Sequence, residues 1–153
     1  MTYYDSSAKI VELAQKYFKQ RFNCAETVLR AGIETLHLPV IPQGIATGFG
    51  GGMGGKGFTC GALTGGIMVL GLYHNRTDPQ DKKNYRQVLL HTRELIKYFE
   101  AQFGSSNCID LTNYDLTDKE QARQFYQDSA KIKKCAYVVQ TVAARIPEII
   151  SPE

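Results

Sequence analysis

The feature that most constrains this chain is a dense run of glycines in residues 48–61, with the sequence GFGGGMGGKGFTCG. Glycine loses more conformational freedom on ordering than any other residue, so order here must be supported by close packing or by a ligand. The run includes Cys60, and an uncharged, largely apolar segment then continues to Tyr73. A glycine-rich loop before a buried helix, with a cysteine at the junction, predicts a functional site.

The composition predicts one ordinary globular domain. The 153 residues are enough to bury a sizeable core, and we expect residues 1–153 to form a single domain. A content of 43% hydrophobic and 22% charged residues argues against disorder. The net charge of +3 is too small to indicate a nucleic-acid partner. Because no secretory signal and no membrane span is recognisable, we expect a cytoplasmic protein.

Apolar residues at helical spacing predict the fold class. They indicate helices in residues 6–20 and 24–38, a further helix from residue 77 onward, and a long helical pattern over 117–147 with a break near 129–134. Capping boxes are predicted at Asn23 and Thr117. No strand alternation is evident. We therefore predict an all-α protein, a single irregular bundle of about five or six helices with a Gly-rich loop before a buried central helix.

The four cysteines, Cys24, Cys60, Cys108 and Cys135, lie in four different segments. In the cytoplasm they are expected to be thiols, metal ligands or redox groups rather than disulfides, although small buried hydrophobes are the simplest alternative. The first three each follow an Asn or Thr, so that free N–H groups of a helix or turn start would favour a thiolate. Lysines just before Cys135 would favour a thiolate as well.

The spacing of the cysteines excludes several familiar sites. No Cys-x-x-Cys pair is present, so the patterns of zinc fingers, ferredoxins and thioredoxins are all missing. Any site that the four cysteines share must therefore be assembled by the tertiary fold.

The glycines also suggest nucleotide binding, but the pattern is incomplete. Residues 50–56 match a phosphate-binding loop except that Gly57 replaces the required hydroxyl, and the spacing of Gly50, Gly52 and Gly55 matches a dinucleotide motif without a preceding strand. We instead expect the glycines to allow close approach of the backbone to a helix or a small cofactor. The predicted cofactor-binding residues are Gly50, Gly51, Gly52, Gly54 and Gly61.

Two further patterns concern packing and isolated polar residues. Gly61 and Gly65 lie one helical turn apart, which predicts close packing of the central helix against another helix and is compatible with a homodimer. His37, His74 and His91 are isolated in the sequence, and we expect them to be surface or turn residues.

The order of these motifs resembles a bacterial and archaeal family of redox-active proteins named for its C…GCAxxG…C…C pattern. Cys24, the glycine-rich residues 48–54, the motif Cys60-Gly61-Ala62-x-x-Gly65, Cys108 and Cys135 carry the resemblance, which covers nearly the whole chain. Thr59 departs from it, because the family pattern has glycine there. The resemblance implies a helical domain whose four cysteines form one redox centre, as in a similar domain of split-Soret cytochromes that is associated with an iron–sulfur cluster.

Three functional hypotheses follow. In the first, Cys24, Cys60, Cys108 and Cys135 ligate an iron–sulfur cluster, [2Fe–2S] in type, in an electron-transfer protein with a separate redox partner protein, and the glycine loop shields the cluster. In the second, the chain is a thiol–disulfide oxidoreductase with Cys60 as the catalytic thiolate. In the third, it is a non-catalytic, zinc-binding helical module. Whether the chain is an enzyme stays open at this point.

Overall fold

The fold is built from helices, as the computed structural model of residues 2–151, without the side chain of Tyr3, describes it. The elements are α1 (Tyr3–Lys19), α2 (Cys24–Thr35), a 3-10 helix (Gln43–Phe49), α3 (Gly61–His74), α4 (Lys82–Phe103), α5 (Cys108–Thr112), α6 (Lys119–Gln127) and α7 (Ser129–Ile150). Within residues 2–151 there is no β-strand, only an isolated bridge between Thr59 and Asn107. None of the described helices is long and apolar enough to cross a membrane. The all-α prediction is confirmed, but the described residues form seven α-helices and one 3-10 helix rather than five or six helices, because the loop around Cys108 contains the short α5 and the long C-terminal pattern divides in two.

Two helix starts confirm what the sequence predicts. At α2 the Asn23 side chain accepts a hydrogen bond from the Glu26 N–H at 3.0 Å, and the Glu26 carboxylate accepts one from the Asn23 N–H at 2.9 Å. At α7 the Asp128 carboxylate accepts from the Lys131 N–H at 3.1 Å. Asp128 thereby caps a new helix, and the long pattern divides into α6 and α7 at the edge of the expected interval.

Two other helix starts differ from the prediction because an aspartate takes over the capping role. Asp81 accepts from the Asn84 N–H at 3.0 Å, so α4 begins at Lys82 rather than near residue 77. Asp118, not Thr117, caps α6. The Thr117 hydroxyl instead donates to Asp115 at 2.6 Å. A carboxylate is a strong acceptor at a helix N-cap.

The helices pack so that α2 and α3 lie together at the centre. The α2 helix contacts α1, α3 and α7, and α3 also contacts α4 and α7. Fully buried core side chains come from all of these helices: Ile10, Val28, Leu29, Leu63, Val69, Leu70, Leu95, Phe99, Val139, Val142 and Ile146. Cys24 is the first residue of α2 and Cys60 is the N-cap residue of α3, so this central packing also positions the site.

The contact between α2 and α3 depends on glycines. A Cβ atom added at Gly65 would lie 2.7 Å from the carbonyl oxygen of Ala25, and one at Gly61 would lie 3.0 Å from the Ala25 nitrogen. These distances leave no room for a side chain on this face of α3. The predicted close helix packing at Gly61 and Gly65 is confirmed, and it brings the start of α2 next to the start of α3.

The prediction that all three histidines are isolated is wrong for two of them. The Nε2 atom of His74 on α3 and the Nδ1 atom of His91 on α4 are 2.9 Å apart and form a hydrogen bond. Burial, and then the neighbouring His91, lower the pKa of His74. Residues 74 and 91 are too far apart in sequence for a local pattern to reveal the pair. His37 is exposed, with a φ of 51°, as expected of a turn residue.

Candidate four-cysteine site

The glycine loop forms a left-handed turn. The φ angles of residues 51–55 all lie between 57° and 80°, and of these residues only Met53 carries a side chain. This backbone region costs an L-residue about 1–2 kcal/mol, whereas glycine adopts it freely. Amides bond back across the turn, from the Gly54 N–H to the Gly48 oxygen at 2.7 Å and from the Phe58 N–H to the Gly52 oxygen at 3.1 Å. This segment is rich in glycine because its backbone has positive φ angles.

The end of this loop holds Cys60 beside Cys108. The Cys60 N–H donates to the Ser106 oxygen at 2.8 Å, and the Cys108 N–H donates to the Phe58 oxygen at 2.6 Å, on either side of the Thr59–Asn107 bridge. Both thiol side chains are buried, with 6% of Cys60 and 9% of Cys108 exposed. Two cysteines that are distant in sequence are therefore fixed together by a short backbone ladder.

Substitution of Gly52 tests how closely the loop supports Cys108. A Cβ atom at Gly52 would lie 2.5 Å from the Phe58 oxygen and 2.8 Å from the Cys108 Cβ, while one at Gly54 would have no neighbour within 4 Å. Both residues have a positive φ. We expect Gly54→Ala to cost about 1–2 kcal/mol of unfolding free energy and Gly52→Ala about 2 kcal/mol more. Urea unfolding of the metal-free proteins measures both values, and equal losses would contradict this account of the loop.

A network of side chains fixes the start of α2, where Cys24 is the first residue. The Asn23 amide donates to the Thr47 oxygen at 3.0 Å, and the Thr47 hydroxyl donates to the Glu26 carboxylate at 2.6 Å. Gly50 lies so close to the Asn23 side chain that an added Cβ would be 2.5 Å from the Asn23 Nδ2 atom. The capping box of α2 is thereby joined to the 3-10 helix and to the glycine loop.

The four cysteines line one cavity of about 590 Å³. Cys24, Cys60 and Cys108 enter it from the starts of α2, α3 and α5, and Cys135 enters it from within α7. No Asp, Glu or His is among the described residues that line this cavity. The fold therefore brings together all four cysteines that the sequence singled out.

The predicted glycine contacts are only partly at this cavity. Gly51 and Gly61 line it. Gly50 and Gly52 instead pack against Asn23, Phe58 and the Cβ of Cys108, and Gly54 is exposed. The amides of Gly51 and Gly52 have no acceptor among the described residues. Gly51 and Gly61 are thus placed where they can contact a cofactor in the cavity. Gly50, Gly52 and Gly54 shape the loop instead.

The thiols differ strongly in acidity. Burial raises the pKa of Cys60 to about 12, although the nearby N–H groups of Ala62 and Leu63 oppose this rise. Burial likewise raises the pKa of Cys108 to about 11. The expectation that a helix or turn start would favour a thiolate is wrong for both, because desolvation exceeds the opposing effect of the N–H groups at Cys60 and of the Thr112 hydroxyl at Cys108.

Cys24 and Cys135 interact, and their pKa values shift in opposite directions. The interaction with the Cys135 thiol, followed by burial, raises the pKa of Cys24, so the expected thiolate at the start of α2 is contradicted as well. The same interaction lowers the pKa of Cys135, and the positive charges of Lys134 and Lys131 lower it further, as the sequence predicts. Both side chains are partly exposed. In the metal-free protein the most reactive thiolate is accordingly expected at Cys135.

Alkylation of metal-free protein tests this ranking. Because the thiolate is the nucleophile, iodoacetamide at pH 7–8 should modify Cys135 first and the buried Cys60 last, with rates differing at least about tenfold. The rate at Cys135 should level off as pH rises above its lowered pKa, whereas the rate at Cys60 should still increase at pH 10. Peptide mass spectrometry follows each site, and modification of Cys60 before Cys135 would contradict the ranking.

Sequence reasoning singled out the lysines just before Cys135 but missed most of the remaining cavity lining. Cations from α1, the following loop and α7 line it, as do aromatic side chains from α1, the following loop and α6: Lys19, Arg21, Lys133, Lys134, Phe18, Phe22, Phe125 and Tyr126. Thr112, whose hydroxyl donates to the Cys108 oxygen at 3.0 Å, was also missed. Its spacing of one helical turn from Cys108 is the only signal that the sequence offers.

The fold and the site define a class of protein: an all-α chain in which cysteines from four separate segments meet in one cavity. A family model described as "Putative redox-active protein (C_GCAxxG_C_C)" matches residues 22–149, a span that includes all four cysteines. The chain belongs to this family.

A relative from Archaeoglobus fulgidus, described as an uncharacterized protein, is similar to this chain. The two are 33% identical over 111 residues, which is 67% of this chain and 74% of the relative. No solved structure gives a significant match.

Proposed function

We propose that Cys24, Cys60, Cys108 and Cys135 ligate an iron–sulfur cluster of the [2Fe–2S] type, and that the protein transfers electrons. The observation that carries this proposal is the convergence of four thiols on one cavity whose described lining contains no carboxylate and no imidazole. Four cysteine thiolates are the usual ligands of such clusters. Membership of a redox-active family supports the same chemistry.

The donor set fits a cluster, although the side chains would have to adjust. The described residues contain no group of three or more His, Cys, Asp or Glu side chains already placed around one point for a single metal ion. Rotation of cysteine side chains would be needed to bring the sulfurs to a cluster. Three of the thiols have raised pKa values, so ligation would release protons and would be stronger at higher pH.

The surroundings of Cys60 are suited to tuning a redox centre. The N–H groups of Ala62 and Leu63 lie at the start of α3 and favour negative charge on its sulfur, and hydrogen bonds from such groups to a ligating sulfur would raise the reduction potential of a cluster. The free amide of Gly51 lies in the lining of the same cavity. When bound, the cluster would supply one-electron chemistry. The four cysteines would hold it, and the surrounding cavity would limit its contact with water.

Anaerobic reconstitution tests the proposal. After incubation with ferrous iron, sulfide and a thiol reductant, we expect about two irons and two acid-labile sulfides per chain, with visible absorption that dithionite bleaches. A colourless, iron-free protein after this treatment would contradict the proposal. We also propose that the protein has a separate redox partner protein, a reducing cytoplasmic location and a homodimeric state. Each of these is tested by its own measurement.

A second candidate function is thiol–disulfide exchange. The interaction of Cys24 with Cys135 favours it, because these two thiols line the same cavity and that of Cys135 has a lowered pKa. A reaction with an oxidised dithiol would form a Cys24–Cys135 disulfide and pass two electrons and two protons to the oxidant. The pKa of about 12 makes Cys60 a poorer attacking group than Cys135. Reversible loss of two thiols in iron-free protein, mapped to Cys24 and Cys135, would support this candidate.

The zinc-binding hypothesis rests on the same four cysteines. A structural zinc ion requires four ligands around one point, which the described side chains would likewise reach only after rotation. Stoichiometric zinc in protein purified without added metal, with no visible absorption after reconstitution, would favour it over the cluster.

A further inference from the structure

The cavity that the four cysteines line is larger than a cluster requires. A [2Fe–2S] core consists of two irons and two sulfides, whereas the cavity measures about 590 Å³, within the range of about 300–1,000 Å³ typical of small-molecule sites. The space is bounded by the end of α1, by α6 and by the first turns of α7, in addition to the segments that carry the cysteines. Room for a second occupant is therefore part of the fold.

The charges around this cavity are of one sign. Its cationic lining residues are Lys19, Arg21, Lys133 and Lys134, and no Asp or Glu lines it among the described residues. All four residues are exposed, and none of their side chains forms an ion pair with a described residue. Unpaired cations around a concave site favour an anionic occupant.

The rest of the lining favours an apolar body on that anion. Phe18 at the end of α1 and Phe125 and Tyr126 on α6 are aromatic residues of the lining, and Phe22, in the loop after α1, lines it with the Arg30 guanidinium 4.0 Å from its ring centre. Aromatic faces stack with flat apolar groups and exclude water from them. A site that combines aromatic walls with unpaired cations discriminates against both simple inorganic anions and neutral apolar molecules.

We propose that this cavity binds a small organic anion with a flat, apolar body beside the four cysteines. The inference rests on the proposed function for its biological meaning, because the ligand would lie next to the redox centre. Binding itself needs only the cavity, its aromatic walls and its cations. Metal-free protein and cluster-loaded protein should both bind the organic anion, although the cluster leaves less room for it.

Fluorescence titration with two matched dyes tests this inference. The anionic probe is 8-anilinonaphthalene-1-sulfonate, and the control is N-phenyl-1-naphthylamine, which has the same aromatic body without the charge. We expect one anionic dye per chain, bound at least about tenfold more tightly than the neutral dye. In Lys19→Gln/Lys133→Gln the affinity for the anion should fall about tenfold while that for the neutral dye changes little.

The matched control is Lys82→Gln/Lys83→Gln, which removes the same charge at exposed positions of α4 outside the cavity lining. It should bind both dyes like the unaltered protein, and bound anion should slow the alkylation of Cys135 in metal-free protein. Equal weakening by the two double substitutions, equal affinity for the two dyes, or no protection of Cys135 would overturn the inference. Because dye binding is measured without the cluster, a failed reconstitution would refute the proposed function alone.

Discussion

Replacement of Cys60 by serine should abolish cluster binding while leaving the helical fold intact or slightly more stable. Serine has the same shape but is a poor ligand for iron in such clusters. We therefore expect iron retention to fall at least about 100-fold, which is more than the loss caused by changing a residue that only contacts a ligand. Cys60 is the N-cap residue of α3 and makes no side-chain capping bond. Serine is a preferred N-cap, so the metal-free variant should gain about 0.5–1 kcal/mol of unfolding free energy.

The substitution is informative because it should lower the iron content while raising the unfolding free energy. Iron and sulfide analysis after reconstitution measures the loss, and urea unfolding of metal-free protein measures the gain. Thr59→Ser is the matched control, because Thr59 is the adjacent residue and is not among those that line the cavity; it should reconstitute like the unaltered protein. Full cluster content in Cys60→Ser would remove Cys60 from the proposed ligand set, and a large loss of stability would show that the two effects are not separable.

Gly65→Ala should be the most destabilising single substitution at the contact between α2 and α3. Its Cβ would lie 2.7 Å from the Ala25 oxygen and 3.1 Å from the Ala25 Cα, which are backbone atoms that cannot move without shifting α2. We expect a loss of about 3 kcal/mol, even after the helix propensity that alanine adds. Since Ala25 follows Cys24, separation of the helices should also lower the cluster content.

Gly71→Ala is the control on the same helix. A Cβ there would have no neighbour within 4 Å, so alanine should stabilise the protein by about 0.5–1 kcal/mol through propensity alone. Urea unfolding of both metal-free variants gives the comparison. If Gly65→Ala were as well tolerated as Gly71→Ala, the close approach of α3 to Ala25 would not hold the site together.

Local features of the fold were predictable because their causes are local. Asn23 and Glu26 are three residues apart and form the capping box that the sequence predicts, and the apolar periodicity identified the main helices. Where a prediction failed, a nearby competitor was responsible: Asp81 and Asp118 cap α4 and α6 in place of the expected residues. The glycine loop was recognised as unusual, but its left-handed turn follows from φ angles that the sequence does not specify.

The assembly of the site could not be predicted from spacing. Cys60 and Cys108 are joined by hydrogen bonds to Ser106 and Phe58 across a long sequence separation. Resemblance to a family implied that the cysteines converge, but nothing in the residues alone did so. The acidity of the thiols was also beyond the sequence, because burial depends on the whole fold and reverses the expected effect at Cys60 and Cys108. The cations contributed by α1 were missed for the same reason.

X-ray absorption at the iron edge of anaerobically reconstituted protein tests the central claim most directly. The claim is that Cys24, Cys60, Cys108 and Cys135 together hold one iron–sulfur cluster. It predicts that each iron is surrounded by sulfur alone, with a second iron as its next neighbour, and that this signal disappears in Cys60→Ser but persists in Thr59→Ser. Iron bound through oxygen or nitrogen, or an unchanged all-sulfur signal in Cys60→Ser, would contradict it.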